Sequence, residues 1–254
     1  MTINLDLLNE FNPISLEQMD NVALMDRVDT KFIFNQITLS EILNDLKEDY
    51  SVLEINQIRA FQYHSLYFDT PDFKLFYNHH RGKTSRFKFR FRSYIESKLT
   101  FFEVKYKDNK GRTKKSRIKE NHSEYLLNEN TNIFLNEKST FKNIDIEEKI
   151  WVNYKRITLV NNTENERVTI DMDIEFLNQN ETFKLENIVL AEVKQDKQIN
   201  SVFKRIMHKK HIRPGSISKY CLGICFLYKN LIHNNFKPYI HQIQKFTKKQ
   251  LQYA

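Results

Sequence analysis

Glycine and proline are scarce in this chain of 254 residues, four of each, and cysteine is scarcer, with two. So few glycines leave no glycine-rich loop to cradle a phosphate through backbone N–H groups, and no Walker-type motif is present. Cys221 and Cys225 cannot make up a zinc set, and their placement in an apolar segment predicts buried free thiols rather than a disulfide. No apolar run is long enough to cross a bilayer. The N-terminus lacks the basic-then-apolar order of a signal peptide, so the sequence predicts a soluble, cytoplasmic protein without a transmembrane segment. What is abundant is charge and aromatic rings. The chain carries 40 Lys+Arg against 32 Asp+Glu, a net charge of +8, and 20 phenylalanines. That balance favours anionic partners, among which nucleic acid, phosphate compounds and a membrane surface all qualify. With 40% hydrophobic and 28% charged residues, the composition is that of a globular domain.

The most informative stretch is Arg86-Phe87-Lys88-Phe89-Arg90-Phe91-Arg92, which alternates cation and aromatic. Successive side chains of a strand point to opposite faces, so the cations share one face and the phenylalanines the other. Phe101 to Lys107 repeats the pattern, with Glu103, Lys105 and Lys107 opposite Phe102, Val104 and Tyr106. Asp108-Asn109-Lys110-Gly111 supplies turn residues, and Thr113, Lys115, Arg117 and Lys119 alternate on the returning strand. Like charges side by side on a sheet repel. Either the cations face solvent, or they line an enclosed surface whose missing counter-charge is a polyanionic ligand, for which arginine forks suit phosphate.

Further strands are predicted at Arg27–Phe34, Phe61–Phe68, Ile150–Val160, Arg167–Phe176 and Ile188–Lys194, most with one charged and one apolar face. In Arg167–Phe176 every odd position is polar, including Asp171 and Asp173. Residues 1–22 read as short helical pieces, with Ser15 as a cap ahead of Leu16, Met19, Val22 and Ala23. Helices are predicted at 40–50, 123–135, 201–210 and 216–233, followed by a basic tail from 234. Those helices need an apolar surface to cover. A closed antiparallel β-barrel of about eight strands, with charges inward and helices packed on the outside, supplies one, so the expected class is α+β. His79 and His80 read as surface residues in a loop, Lys88, Lys107 and Lys119 as rim charges, and Tyr94 and Tyr220 as packing residues.

Lys31 in Asp-Thr-Lys-Phe, Arg90-Phe91-Arg92-Ser93-Tyr94, Glu103-Val104-Lys105, Lys115-Ser116-Arg117, Tyr154-Lys155-Arg156, Arg167 with Asp173, Glu192-Val193-Lys194 and Ser218-Lys219-Tyr220 follow one another in that order. This ordered set resembles the polyphosphate polymerase domain of the vacuolar transporter chaperone complex in its stand-alone bacterial form, a branch of the triphosphate tunnel metalloenzymes. The likeness spans roughly residues 25–225 of what reads as one domain. It implies a tunnel that transfers the γ-phosphoryl of ATP to a growing polyphosphate chain with Mn²⁺ or Mg²⁺. Position by position, it implies that Arg90, Arg92 and Lys219 act on the transferred group. Lys31, Lys105, Lys115, Arg117, Arg156, Arg167 and Lys194 would bind phosphate, and Glu192 the metal. Glu103 would either join the metal or neutralise Lys105, and Asp171 and Asp173 would pair with lumen arginines.

The wider superfamily opens with Glu-x-Glu-x-Lys, whereas Arg27, Asp29 and Lys31 stand here. That departure favours the polymerase branch and makes a second metal doubtful. The family's inositol-phosphate-sensing domain and membrane helices have no counterpart in this sequence, and a membrane-protein partner is left open. Three classes stay in play: an ATP-dependent polyphosphate polymerase, a tunnel triphosphatase and a non-catalytic polyphosphate-binding module. A nucleic-acid partner is not expected, because the aromatics lie opposite the cations and cannot stack on bases that the cations hold.

Overall fold

The computed structural model describes residues 5–20, 27–121, 125–141, 146–196, 201–216 and 218–251. Val22, Ala23, Ser123 and Ile217, which fall in predicted helices, lie outside the described residues. Twelve strands form one sheet: β1 (Asn12–Ile14), β2 (Arg27–Asn35), β3 (Tyr50–Leu53), β4 (Ala60–Asp69), β5 (Arg86–Tyr94), β6 (Leu99–Lys107), β7 (Thr113–Glu120), β8 (Glu147–Asn161), β9 (Glu166–Leu177), β10 (Thr182–Leu185), β11 (Ile188–Asp196) and β12 (Pro214–Gly215). The helices are α1 (Leu16–Asp20), α2 (Leu39–Leu46), α3 (Lys74–His80), α4 (Glu129–Lys138), α5 (Val202–Lys209), α6 (Lys219–Leu227) and α7 (Lys237–Leu251).

The main path runs β12-β2-β11-β9-β8-β4-β5-β6-β7, with antiparallel pairing along it. Among the described residues it does not close into the expected barrel, and twelve strands replace the expected count of about eight. The two ends explain why. β12 is two residues long and begins with Pro214, which has no N–H to donate to a further strand. β7 is exposed along most of its length and reads Thr-Lys-Lys-Ser-Arg-Ile-Lys-Glu, a charged edge of the kind that discourages pairing.

Alternation puts the apolar residues of the strands on the outer face, as the sequence predicts, and two helical layers cover it. Ile42, Leu43 and Leu46 of α2 and Phe203, Ile206 and Met207 of α5 pack against Phe32, Val168, Ile170, Val189 and Val193. Phe134 and Leu135 of α4 cover Phe89, Phe91, Phe102 and Val104.

The helix α6 departs from that plan. Its residues Tyr220, Leu222 and Ile224 pack with Ile33, Ile150, Val152, Tyr154, Ile174 and Leu190, which share their face with the charged residues. The helix therefore fills one end of the inner face instead of covering the outside. Each fully buried Leu or Ile side chain contributes about 1.5–3 kcal/mol. Gly223 permits the close approach: a Cβ there would lie 2.5 Å from Ile150 Cδ1 and 2.9 Å from Phe176 Cδ1. Gly223→Ala should cost about 1–3 kcal/mol through overpacking, read as a lower thermal midpoint.

A bulge makes room for this arrangement. The β8–β9 register shifts between Asn153 and Lys155, and Asp173 opposite takes φ 51°. Before it, Val168, Ile170 and Met172 face outward; after it, Ile174 and Phe176 face α6. Asp173 consequently leaves the inner face, is exposed, and pairs with Lys155 at 3.4 Å. The perfect alternation of the sequence is thus not one continuous charged face.

Candidate phosphate-binding site

The inner face is charged where α6 does not reach it. Register places Arg90 beside Glu103 and Tyr67, Arg92 beside Ser65, Lys88 beside Lys105, Lys105 beside Lys115, and Lys194 beside Arg167. Strands far apart in the sheet face one another across it. The charges of Lys194 and Glu192 on β11 act on Lys105 of β6, and Lys88 of β5 donates to Ser218 Oγ, just ahead of α6, at 2.8 Å.

Three acids are enclosed by cations. Glu103 is fully buried; Arg90 Nε donates to its Oε2 at 2.7 Å, and Lys115 pairs with its Oε1. Burial alone would raise the Glu103 pKa, but Arg90, Arg92 and Lys115 hold it far below the usual carboxylate range. Asp171 accepts both arms of the Arg156 fork, at 2.6 and 2.8 Å, and a hydrogen bond from Lys219. Its pKa is lowered because Arg156 and Lys219 outweigh burial. Glu192 pairs with Lys31 at 3.2 Å, and Lys194, Lys31, Lys105 and Arg156 overcome its burial to lower its pKa well below the ordinary value.

The cations outnumber these acids. Among the described residues Lys105 makes no ion pair; burial, reinforced by Arg90, Lys194 and Arg92, pushes its pKa well down. Burial likewise lowers Lys115, to about 8, against the pull of Glu103. Among the described residues Arg92 has no carboxylate at salt-bridge distance; its Nε reaches Ser65 Oγ at 3.4 Å and its guanidinium lies 5.7 Å from the centre of the Tyr63 ring. Tyr67 Oη accepts from Arg90 at 2.7 Å, and the nearby cations lower its pKa despite burial. Arg167 and Lys194 are half-buried on the same face, while Arg117 is exposed and sits 4.5 Å from the Phe101 ring centre. A surface built this way is short of negative charge. It suits a ligand with many anionic oxygens in a row.

Residues 26–228 match the profile of the VTC domain. The chain belongs to the VTC domain family. No curated protein matches it. Among solved structures the VTC domain is similar to a putative adenylyl cyclase from Hippeastrum described as having a dominant triphosphatase activity. The likeness covers 82% of this chain and 98% of that one at 14% identity, with a TM-score of 0.50. A putative adenylate cyclase from Bacillus halodurans is similar over 76% of this chain and 96% of its own, at 12% identity and a TM-score of 0.49. At 14% identity the likeness to the Hippeastrum protein speaks for the fold alone.

Within this VTC domain several groups stand where the sequence reading did not put them. Lys88 is half-buried on the inner wall and hydrogen-bonded, not a rim charge. His79 and His80 belong to α3 instead of a loop, and His79 Nδ1 lies 3.1 Å from Cys221 Sγ. Burial and the charges of Lys88 and Arg86 push the His79 pKa down to about 2. Tyr220 does more than pack: it donates to buried Asp69 and stacks on Tyr67 at 5.2 Å, which ties α6 to the strand beside Arg90.

The two acids expected near a metal differ. Both Glu103 oxygens are engaged by Arg90 and Lys115, which leaves Glu103 a counter-charge with no place for an ion. The Glu192 side chain is 23% exposed and pairs with Lys31. Among the described residues no three acidic, His or Cys side chains converge into a metal cage. Mg²⁺-type ions commonly use one or two carboxylates and take their remaining ligands from phosphates and water, and Glu192 fits that kind of site.

Proposed function

We propose that this protein binds ATP and a polyphosphate chain on its inner cationic face and transfers the γ-phosphoryl group to the chain. The observation that carries this reading is the run of like charges set side by side, Lys88–Lys105–Lys115 and Arg167–Lys194, on the face where Arg90, Arg92 and Arg156 are also buried or nearly so. Such rows repel in isolation, and a linear polyanion turns the repulsion into binding. The VTC family match and the fold shared with the Hippeastrum protein support the same reading.

In the transfer, a terminal oxygen of the polyphosphate chain forms a bond to the γ-phosphorus, the bond from that phosphorus to the β–γ bridging oxygen breaks, and ADP leaves. The chain supplies the nucleophile, so no side chain has to. Alignment and compensation of charge on the non-bridging oxygens are what the protein contributes. Arg90 and Arg92 present guanidinium groups fixed by Glu103, Tyr67 and Ser65. Lys219 and Arg156, both anchored on Asp171, are held before the substrate arrives. Glu192 would hold Mn²⁺ or Mg²⁺, which when bound neutralises phosphate charge.

The sheet stays open between β7 and β12, and that observation favours a second reading, hydrolysis of a triphosphate by water reaching the face from its open side. Incubation with ATP and Mn²⁺ separates the readings. Long phosphate chains with equimolar ADP are expected. Free phosphate alone establishes the triphosphatase, and tight polyphosphate binding without turnover establishes a binding module.

A further inference from the structure

We propose that Lys88, fixed by Ser218 beside Lys105, forms an additional phosphate subsite that recognises the polyphosphate chain beyond the reach of a triphosphate. This inference rests on the phosphate-binding reading of the inner face and adds a specificity determinant to it. Arg92, Arg90 and Lys88 stand at alternate positions of β5, all on that face. Strand geometry advances about 3.3 Å per residue, so the row spans about 13 Å, longer than three linked phosphates reach.

The surroundings of Lys88 give it no structural counter-ion. Its ammonium donates to Ser218 Oγ at 2.8 Å, and among the described residues no carboxylate lies within ion-pair distance. The groups that favour its charge are the Cys221 thiol and the Tyr67 phenol, while Arg86 and Lys31 oppose it. His79 is kept neutral by burial and these same cations. An ammonium so enclosed is costly to the free protein, and an anion in front of it removes the cost. Ser218 also accepts from the Cys221 amide, so it can hold the lysine while its own hydroxyl proton stays free for a phosphate oxygen. Among the described residues Lys105, the cross-strand neighbour, makes no ion pair either, and it would hold the phosphate next to the one that Lys88 takes.

The test compares affinities for inorganic triphosphate and for a medium-length linear polyphosphate, by calorimetry, in the wild type and in Lys88→Met and Lys88→Arg. For Lys88→Met the loss of affinity for the long chain should exceed the loss for triphosphate by about tenfold. Lys88→Arg should retain most of the discrimination. Equal losses for both ligands, or no loss for either, would overturn the subsite. A thermal midpoint for each variant shows that it is folded, and Lys88→Met, which removes a half-buried charge, is expected to match or exceed the wild type. If the wild type binds neither ligand, it is the phosphate reading of the inner face that fails, and the subsite falls with it.

Discussion

Replacing Glu103 by Gln should lower the stability of the ligand-free protein by about 3–5 kcal/mol, because it leaves buried cations without their counter-charge. At this chain length each kcal/mol moves the midpoint by roughly 2–4 °C, so the expected drop is on the order of 10 °C. Arg90 carries most of the loss, since its fork meets Glu103 at 2.7 and 2.5 Å and its side chain is 8% exposed. Lys115 is a third exposed and can turn to water. Triphosphate or polyphosphate should restore a large part of the midpoint in the variant, because phosphate oxygens can occupy the freed fork. At 100 times the dissociation constant a ligand stabilises by about 2.7 kcal/mol. A midpoint that matches the wild type without ligand would show that Glu103 does not hold the cationic wall together.

The second large effect is kinetic. Lys219→Met should lower turnover by about 10²–10³-fold, the range seen when one preorganised donor to a transition state is lost. Binding of triphosphate should fall by much less, since Arg90, Arg92, Arg156 and Lys105 remain. The fold should be little affected, because Asp171 keeps both arms of the Arg156 fork. This contrast separates Lys219 from Glu103, whose loss acts on the fold first. Equal losses in turnover and in affinity would instead make Lys219 one more binding cation.

Much of this arrangement can be read from the chain, and the places where reading stops have physical causes. The cation–aromatic alternation of residues 86–92 leaves no alternative to a strand with one basic face, and β5 has that form. Whether the sheet closes is a different matter. Alternation reports which way side chains point, whereas closure depends on whether the two end strands can pair, and Pro214 and the charged β7 decide that. The strands β1, β3, β10 and β12 have two to four residues each, too few to show a period.

The inward position of α6 was hidden for another reason. Lys219-Tyr220-Cys221-Leu222-Gly223-Ile224-Cys225-Phe226-Leu227 is apolar almost all round, so no stripe says which face of the sheet it covers. Only the bulge at Asp173, which turns Ile174 and Phe176 inward, provides its seat. A helix start can be read at Asp69-Thr70-Pro71-Asp72, but not that α3 runs on through His80. Its first turn is capped from a distance: the Asp69 carboxylate accepts from the N–H groups of Leu75 and Phe76, and Phe73 before the helix takes φ 58°. No local capping pattern reveals that. The candidate cations, by contrast, were legible by order and alternation, except for Lys88, whose burial depends on Ser218 arriving from the far end of the chain.

The account stands on opposed cations of the inner face holding one phosphate chain between them. A crystal structure of the protein grown with inorganic triphosphate and Mn²⁺ tests this most directly. Phosphate density should lie on the inner face within hydrogen-bond distance of Arg90, Arg92, Lys105 and Arg156, with the metal against Glu192. Density confined to the exposed basic edge at β7, or a well-ordered inner face that stays empty at saturating ligand, would contradict it.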